Sequence, residues 1–119
     1  MKTDADKLAR VLKVLGVNTR IRIVQLLRER TLCVNALAAR LDVTQGAVSQ
    51  HLRVMRDAGL VIDERRGYRV HYRLNEETLG QWHTRINALL APGNETRAEG
   101  DTSCHKKNRT CKTVRNRTN

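Results

Sequence analysis

Two sets of side chains in this sequence have the types and spacing to do chemistry. The first lies between residues 44 and 53: Thr44, Gln45, Ser49, Gln50, His51 and Arg53. Amides, hydroxyls and guanidinium groups donate hydrogen bonds to phosphates and to base edges. The second set is the three cysteines, Cys33, Cys104 and Cys111, with His105 beside the second. As thiolates they suit metal or redox chemistry. A catalytic set is missing. The sequence shows no glycine-rich phosphate loop, no pair of facing carboxylates and no Ser/His/Asp or Cys/His constellation with evident spacing. It reads as a binding protein, not an enzyme.

The first set needs a helix to hold it. At about 100° per residue, Val48, Leu52 and Met55 fall on one side, and Ala47, His51, Val54 and Ala58 widen that side. The opposite arc carries Gln45, Gly46, Ser49, Gln50, Arg53, Arg56 and Asp57. Asp57 is its one acid, and it lies at the C-terminal end. Thr44 suits the N-cap and Gly59 the stop. A helix N-terminus adds a positive partial charge of its own.

The flanking elements follow from periodicity and punctuation. Leu8, Val11, Leu12 and Leu15 mark a first helix with Gly16 as its stop. Asn18 is expected to cap a second, with Ile21, Val24, Leu26 and Leu27 inward and Arg20, Arg22 and Arg28 outside. A third, about 34–41, buries Val34, Leu37, Ala38 and Leu41. A turn of three or four residues then leads into the polar-arced helix, which is helix-turn-helix spacing. After Gly59 the pattern switches to β-branched and aromatic residues in 60–66 and 68–74, with period-two alternation in the second run and Gly67 between: a hairpin with Arg65, Arg66 and Arg69 at its tip. A last helix, about 76–90, gathers Leu79, Trp82, Ile86, Leu89 and Leu90. The expected fold is mainly α with a small β-hairpin, a winged helix-turn-helix in the order α-α-α-α-β-β-α.

Charge and composition narrow the partner. The chain has 119 residues, with Lys plus Arg 23 against Asp plus Glu 12, for a net charge of +11. That favours a polyanion. Aromatics are few, two Tyr, one Trp and no Phe, so a stacking platform for single strands is not expected and duplex DNA fits better. In the major groove the N-terminal residues of the second helix of such a pair meet the bases, and a wing lies on the flanking backbone. Expected DNA contacts are therefore Thr44, Gln45, Ser49, Gln50, His51, Arg53, Arg65, Arg66 and Arg69. No apolar run approaches the roughly 20 residues of a membrane span, and the N-terminus lacks a signal-peptide core. A cytoplasmic protein with reduced thiols and no membrane partner is expected. Composition changes near Pro92: a folded domain over 1–91 and a basic tail over 92–119, with too few aliphatic residues to order itself.

Several stretches resemble the ArsR/SmtB family of winged-helix repressors: Asn18 to Ile23, Leu32 to Ala38, Thr44 to Leu52, and Leu60 to Leu74 ending His71-Tyr72-Arg73-Leu74. The resemblance covers about residues 5–91. It implies a transcriptional repressor that dimerises through its first and last helices, with Leu8, Leu12, Leu79, Trp82, Ile86 and Leu89 at the interface. A two-fold dimer reads a palindromic DNA operator. The family often carries a Leu-Cys-Val-Cys-Asp/Glu-Leu thiolate site for As(III), Cd(II), Pb(II) or Zn(II). Here Cys33 keeps the first thiol, but Asn35 and Ala36 stand at the second thiol and acidic positions. Cys104 and Cys111 offer two further thiols: Cys33, Cys104 and Cys111 suit a trigonal soft ion such as As(III), and His105 would complete a tetrahedron. The 13 residues from Pro92 to Cys104 reach up to about 40 Å. A thiol-redox or reactive-sulfur switch and a winged-helix protein-interaction module stay open beside the metal-responsive repressor.

Overall fold

The computed structural model describes residues 3–93. Five helices and three strands follow in the order α1 (Asp4–Leu15), α2 (Asn18–Leu27), β1 (Leu32–Cys33), α3 (Val34–Leu41), α4 (Gln45–Asp57), β2 (Val61–Arg66), β3 (Arg69–Leu74) and α5 (Glu76–Leu90). The expected winged helix-turn-helix is present, with one addition. β1 pairs antiparallel with β3, so the wing is a three-stranded sheet in the order β1-β3-β2. A strand of two residues is too short to leave an alternation in the sequence.

One core joins all the helices and the sheet: Val11, Val14, Ile23, Leu27, Leu32, Leu37, Ala38, Leu41, Val48, Leu52, Met55, Leu60, Val61, Leu74 and Trp82. In α1 the inward residues are Val11 and Val14, with Leu8 and Leu15 half-buried; Leu12, on the same expected face, is exposed. In α2 the expected face is rotated. Ile23 is buried and Ile21 lies outside. Nor does Asn18 cap this helix: the N-cap is Val17, with no side-chain bond, and Asn18 is the first helical residue. Five aliphatic residues among ten leave α2 without a single apolar stripe, so periodicity alone does not select its buried side.

The ends of α3 and α4 set the recognition element. Asp42 stops α3 in the left-handed region at φ 60°, a conformation that Asp tolerates better than most residues. Asp42, Val43 and Thr44 make the whole turn before α4. Thr44 Oγ1 accepts from the Ala47 N–H at 3.1 Å, as an N-cap should. At the far end Gly59, at φ 82°, lets the Leu60 N–H reach back to the Met55 carbonyl at 2.9 Å and the Gly59 N–H to that of Arg56 at 2.9 Å. This is a Schellman stop. It turns the chain directly into β2, whose Val61 is buried. The hairpin turn is two residues, Gly67 at φ 64° and then Tyr68. Tyr68 is thus in the turn, not in a strand, and is fully exposed. Asn75 Oδ1 accepts from the Glu77 and Thr78 N–H groups at 3.2 and 3.4 Å and starts α5.

Candidate nucleic-acid interface

α4 has the two-sided character its sequence requires. Val48, Leu52 and Met55 are at most 1% exposed. Ala47, His51 and Ala58 are half-buried beside them, while Val54, expected on this side, is exposed. Thr44, Gln45, Gly46, Ser49, Gln50, Arg53, Arg56 and Asp57 are all exposed. The apolar side fixes the helix, and the polar side is open along its whole length. Among the described residues Gln45, Ser49, Gln50 and Arg53 make no side-chain hydrogen bond with the protein. Their donors and acceptors are open to a ligand.

His51 differs from its neighbours. Its Nδ1 accepts from Arg20 Nε at 3.1 Å, and Arg20 Nη1 donates to the Val14 carbonyl at 3.3 Å. Arg20, expected outside, is partly buried between three helices. Sequence reasoning missed this residue. The two partners are 31 positions apart, and no local pattern connects them. Burial, then the Arg20 charge, holds the His51 imidazole below the usual histidine range.

The wing arginines separate into different roles. Arg65 is exposed and makes no ion pair among the described residues. Arg66 Nη2 lies 3.4 Å from Glu64 Oε1, and Arg73 Nε 2.8 Å from Glu64 Oε2. These bonds, Arg73 first, hold the exposed Glu64 carboxyl below its usual range. Arg69 Nη1 donates to Cys33 Sγ at 3.7 Å. All three lie at the wing tip, where Arg66 pairs with Arg69 across the turn, and antiparallel pairing of β1 with β3 also brings Arg69 beside the thiol.

Cys33 is the N-cap residue of α3 and is buried. Its thiol pKa is lowered, first by the Ala36 backbone N–H, with Arg69 adding to the effect and burial opposing it. A cleft of about 370 Å³ beside it is lined by Cys33, Val34, Asn35, Tyr68, Arg69 and Val70. Among the described residues no group of three His, Cys, Asp or Glu side chains is placed to hold a metal ion. Cys33 is the one thiol described; Cys104, His105 and Cys111, like the tail expected over 92–119, lie outside the described residues but for Pro92 and Gly93. His83 is exposed.

The residues expected at a dimer interface fall into three groups. Leu12 and Leu89 are exposed, at 40% and 55%. Leu8, Leu79 and Ile86 are half-buried and pack on the core from outside. Trp82 closes the protein's own core at 8% exposed, which leaves it little surface for a partner. Arg85 on α5 lies 3.1 Å from Asp4 on α1, an ion pair at the surface between the two helices.

The family model described as bacterial regulatory protein, arsR family, matches residues 18–63, from α2 into β2. A crystal structure of a possible transcriptional regulator for arsenical resistance superposes with TM-score 0.64 at 38% identity, covering 68% of this chain and 84% of that one. The chain belongs to the ArsR family. As a member of it, the chain is 39% identical over 90 residues to the HTH-type transcriptional repressor SmtB of Mycobacterium tuberculosis, covering 76% of this chain. It spans 60–65% of the length of the curated relatives that it matches in this way. The solution structure of a homodimeric winged helix-turn-helix DNA-binding domain from Mycobacterium bovis, a possible ArsR-family regulator, aligns with TM-score 0.60 at 25% identity, covering 79% of this chain and 96% of that one. These relatives are described as a transcriptional repressor and two possible transcriptional regulators. Among the described residues no helix is long and apolar enough to cross a membrane.

Proposed function

We propose that this ArsR-family chain is a sequence-specific transcriptional repressor that binds a palindromic duplex operator as a homodimer in the cytoplasm. The observation that carries the reading is α4: an exposed arc of Thr44, Gln45, Ser49, Gln50 and Arg53, free of acid until Asp57, on a helix anchored by three fully buried side chains. Ser49, Gln50 and Gln45 address base edges, Arg53 the groove wall, and Arg65 the flanking phosphates. Arg66 keeps one bond to Glu64, and Arg69 acts through Cys33 as much as through the backbone. The similar M. bovis domain is described as homodimeric, and Leu12 and Leu89 offer exposed apolar surface for a partner on α1 and α5.

The inducer is thiol-directed in this reading, a soft ion such as As(III) or an oxidant. Cys33 supports it: a buried thiol inclined to ionise, between the first helix of the pair and the wing strand. The described residues supply this one donor and no cluster around it, so an ion needs Cys104 and Cys111 as well. The similar solved structure described as a possible regulator for arsenical resistance fits this class of signal.

Selection from a random duplex pool tests the DNA reading. A sharp preference is expected, abolished by Gln50→Ala and Arg53→Ala. Preference-free binding that vanishes on deletion of residues 92–119 would sink it, and would favour a protein-docking module with a basic tail. For the inducer, Cys33→Ser, Cys104→Ser and Cys111→Ser are compared for operator release by As(III), Cd(II) and oxidants. If none of the three changes release, the thiol reading is wrong.

A further inference from the structure

The bond between Arg20 and His51 has a consequence beyond packing. A guanidinium keeps its proton at every accessible pH and has no acceptor. When Arg20 Nε donates at 3.1 Å, His51 Nδ1 must therefore be unprotonated. A neutral imidazole with a bare Nδ1 carries its one proton on Nε2. The other tautomer would set two donors face to face, and the imidazolium would add like charges to that clash. The partner's chemistry thus decides the tautomer.

The arginine is itself anchored. Nη1 donates at 3.3 Å to the carbonyl of Val14, one of the last four of α1, which lack partners within their own helix and favour a cation. One planar fork therefore joins the end of α1, the start of α2 and the middle of α4. His51 stands one residue after Gln50 and two before Arg53, at the border between the buried and open sides of α4. Turning the imidazole over would break this bond, so its orientation is favoured before any ligand arrives.

We propose that Arg20 is a positioning residue of the DNA interface. It holds His51 neutral with Nε2–H as the donor, and that donor meets a phosphate oxygen when α4 enters the groove. The inference rests on the reading of α4 as the groove helix and names a residue of α2 on which that helix depends. The charged group on the imidazole is Arg20, whose Nε lies 3.1 Å from Nδ1.

Two measurements on the full chain test it. Two-bond proton–nitrogen correlation spectra report which ring nitrogen of His51 holds the proton. The wild type is expected in the Nε2–H form near neutral pH, and Arg20→Leu in a tautomer mixture with a raised pKa. Affinity for the duplex enriched from the random pool (or for the unselected pool, if none is enriched) is then measured in a double-mutant cycle. Arg20→Leu is expected to weaken binding about tenfold, the scale of a hydrogen bond to a charged group. His51→Ala is expected to weaken it similarly, and the double variant no further than His51→Ala alone. Losses that multiply would mean that Arg20 acts independently of His51, and would overturn the proposal. So would a wild-type His51 protonated on Nδ1. If Arg20→Leu does not fold, Arg20→Lys replaces it, since one ammonium cannot span both acceptors as the fork does; the same outcomes are expected. A wild-type chain that shows the Nε2–H tautomer but binds no duplex refutes the DNA-binding reading, and with it the phosphate contact, while leaving Arg20 as the residue that orients His51.

Discussion

Removing the Thr44 cap is the sharpest test of how α4 is held. Thr44 Oγ1 accepts from the Ala47 N–H at 3.1 Å, and the Thr44 carbonyl takes the Val48 N–H at 3.1 Å. Only the first bond depends on the side chain. Thr44 is exposed, so in Thr44→Ala the freed N–H meets water rather than a dry core. The loss is then that of an ordinary cap, about 1 kcal/mol, and not the larger penalty of a buried orphan. For a folded unit of this size that lowers Tm by roughly 4–8 °C. Thr44→Ser keeps an oxygen in the same place and should unfold close to the wild type. The first turn also carries Gln45, so fraying it weakens duplex binding as well, by up to about fivefold for the same 1 kcal/mol. Thermal unfolding followed by far-UV circular dichroism and a fluorescence titration with duplex read the two effects. A Thr44→Ala protein that melts with the wild type, or a Thr44→Ser protein that loses as much as Thr44→Ala, would refute the capping argument. α4 would then be held from its apolar side alone.

Leu52→Ala removes an almost fully buried side chain from that apolar side, and should cost about 3 kcal/mol; a urea midpoint within error of the wild type would contradict the assigned packing. Arg65→Ala should flatten the dependence of log K on log salt by about 0.9 for each phosphate that Arg65 neutralises, or roughly 1.8 for a two-fold dimer; an unchanged slope removes Arg65 from the backbone contacts. In a Cys104→Ser/Cys111→Ser background, iodoacetamide reports Cys33 alone. Because the Ala36 N–H and then Arg69 stabilise the thiolate against burial, alkylation should rise with pH at a midpoint below that of an ordinary cysteine, and Arg69→Ala should move it upward. A midpoint at or above that of free cysteine would contradict this account.

How far the structure was legible in the sequence varied with how local the signal was. α4 was legible at both ends and, Val54 apart, along its buried side, because a cap, a period of 3.6 and a terminal glycine each lie within a turn or two of where they act. The helix-turn-helix spacing and the wing strands were legible for the same reason, and α3 and α5 have the bounds expected. α2 misled because aliphatic residues surround it; the side that packs was chosen by its neighbours, which bury Ile23 and leave Ile21 at 46% exposed. β1 was invisible because a two-residue strand exists only by virtue of its partner, β3. The exposed arc of the candidate site was legible residue by residue. The support beneath it, Arg20 under His51 and Arg69 beside Cys33, was not.

The order of residues dictated everything that a helix or hairpin settles within its own length: where α4 begins and ends, that one side is greasy and the other hydrophilic and almost without acid, and that basic groups follow it on a wing. It left open which polar groups would meet across the fold. Contacts between Arg20 and His51, or between Arg69 and Cys33, span 31 and 36 positions. They depend on how α2 packs against α4 and on how β3 registers with β1. Such packing is chosen by the whole core at once, and no stretch of neighbouring residues carries it.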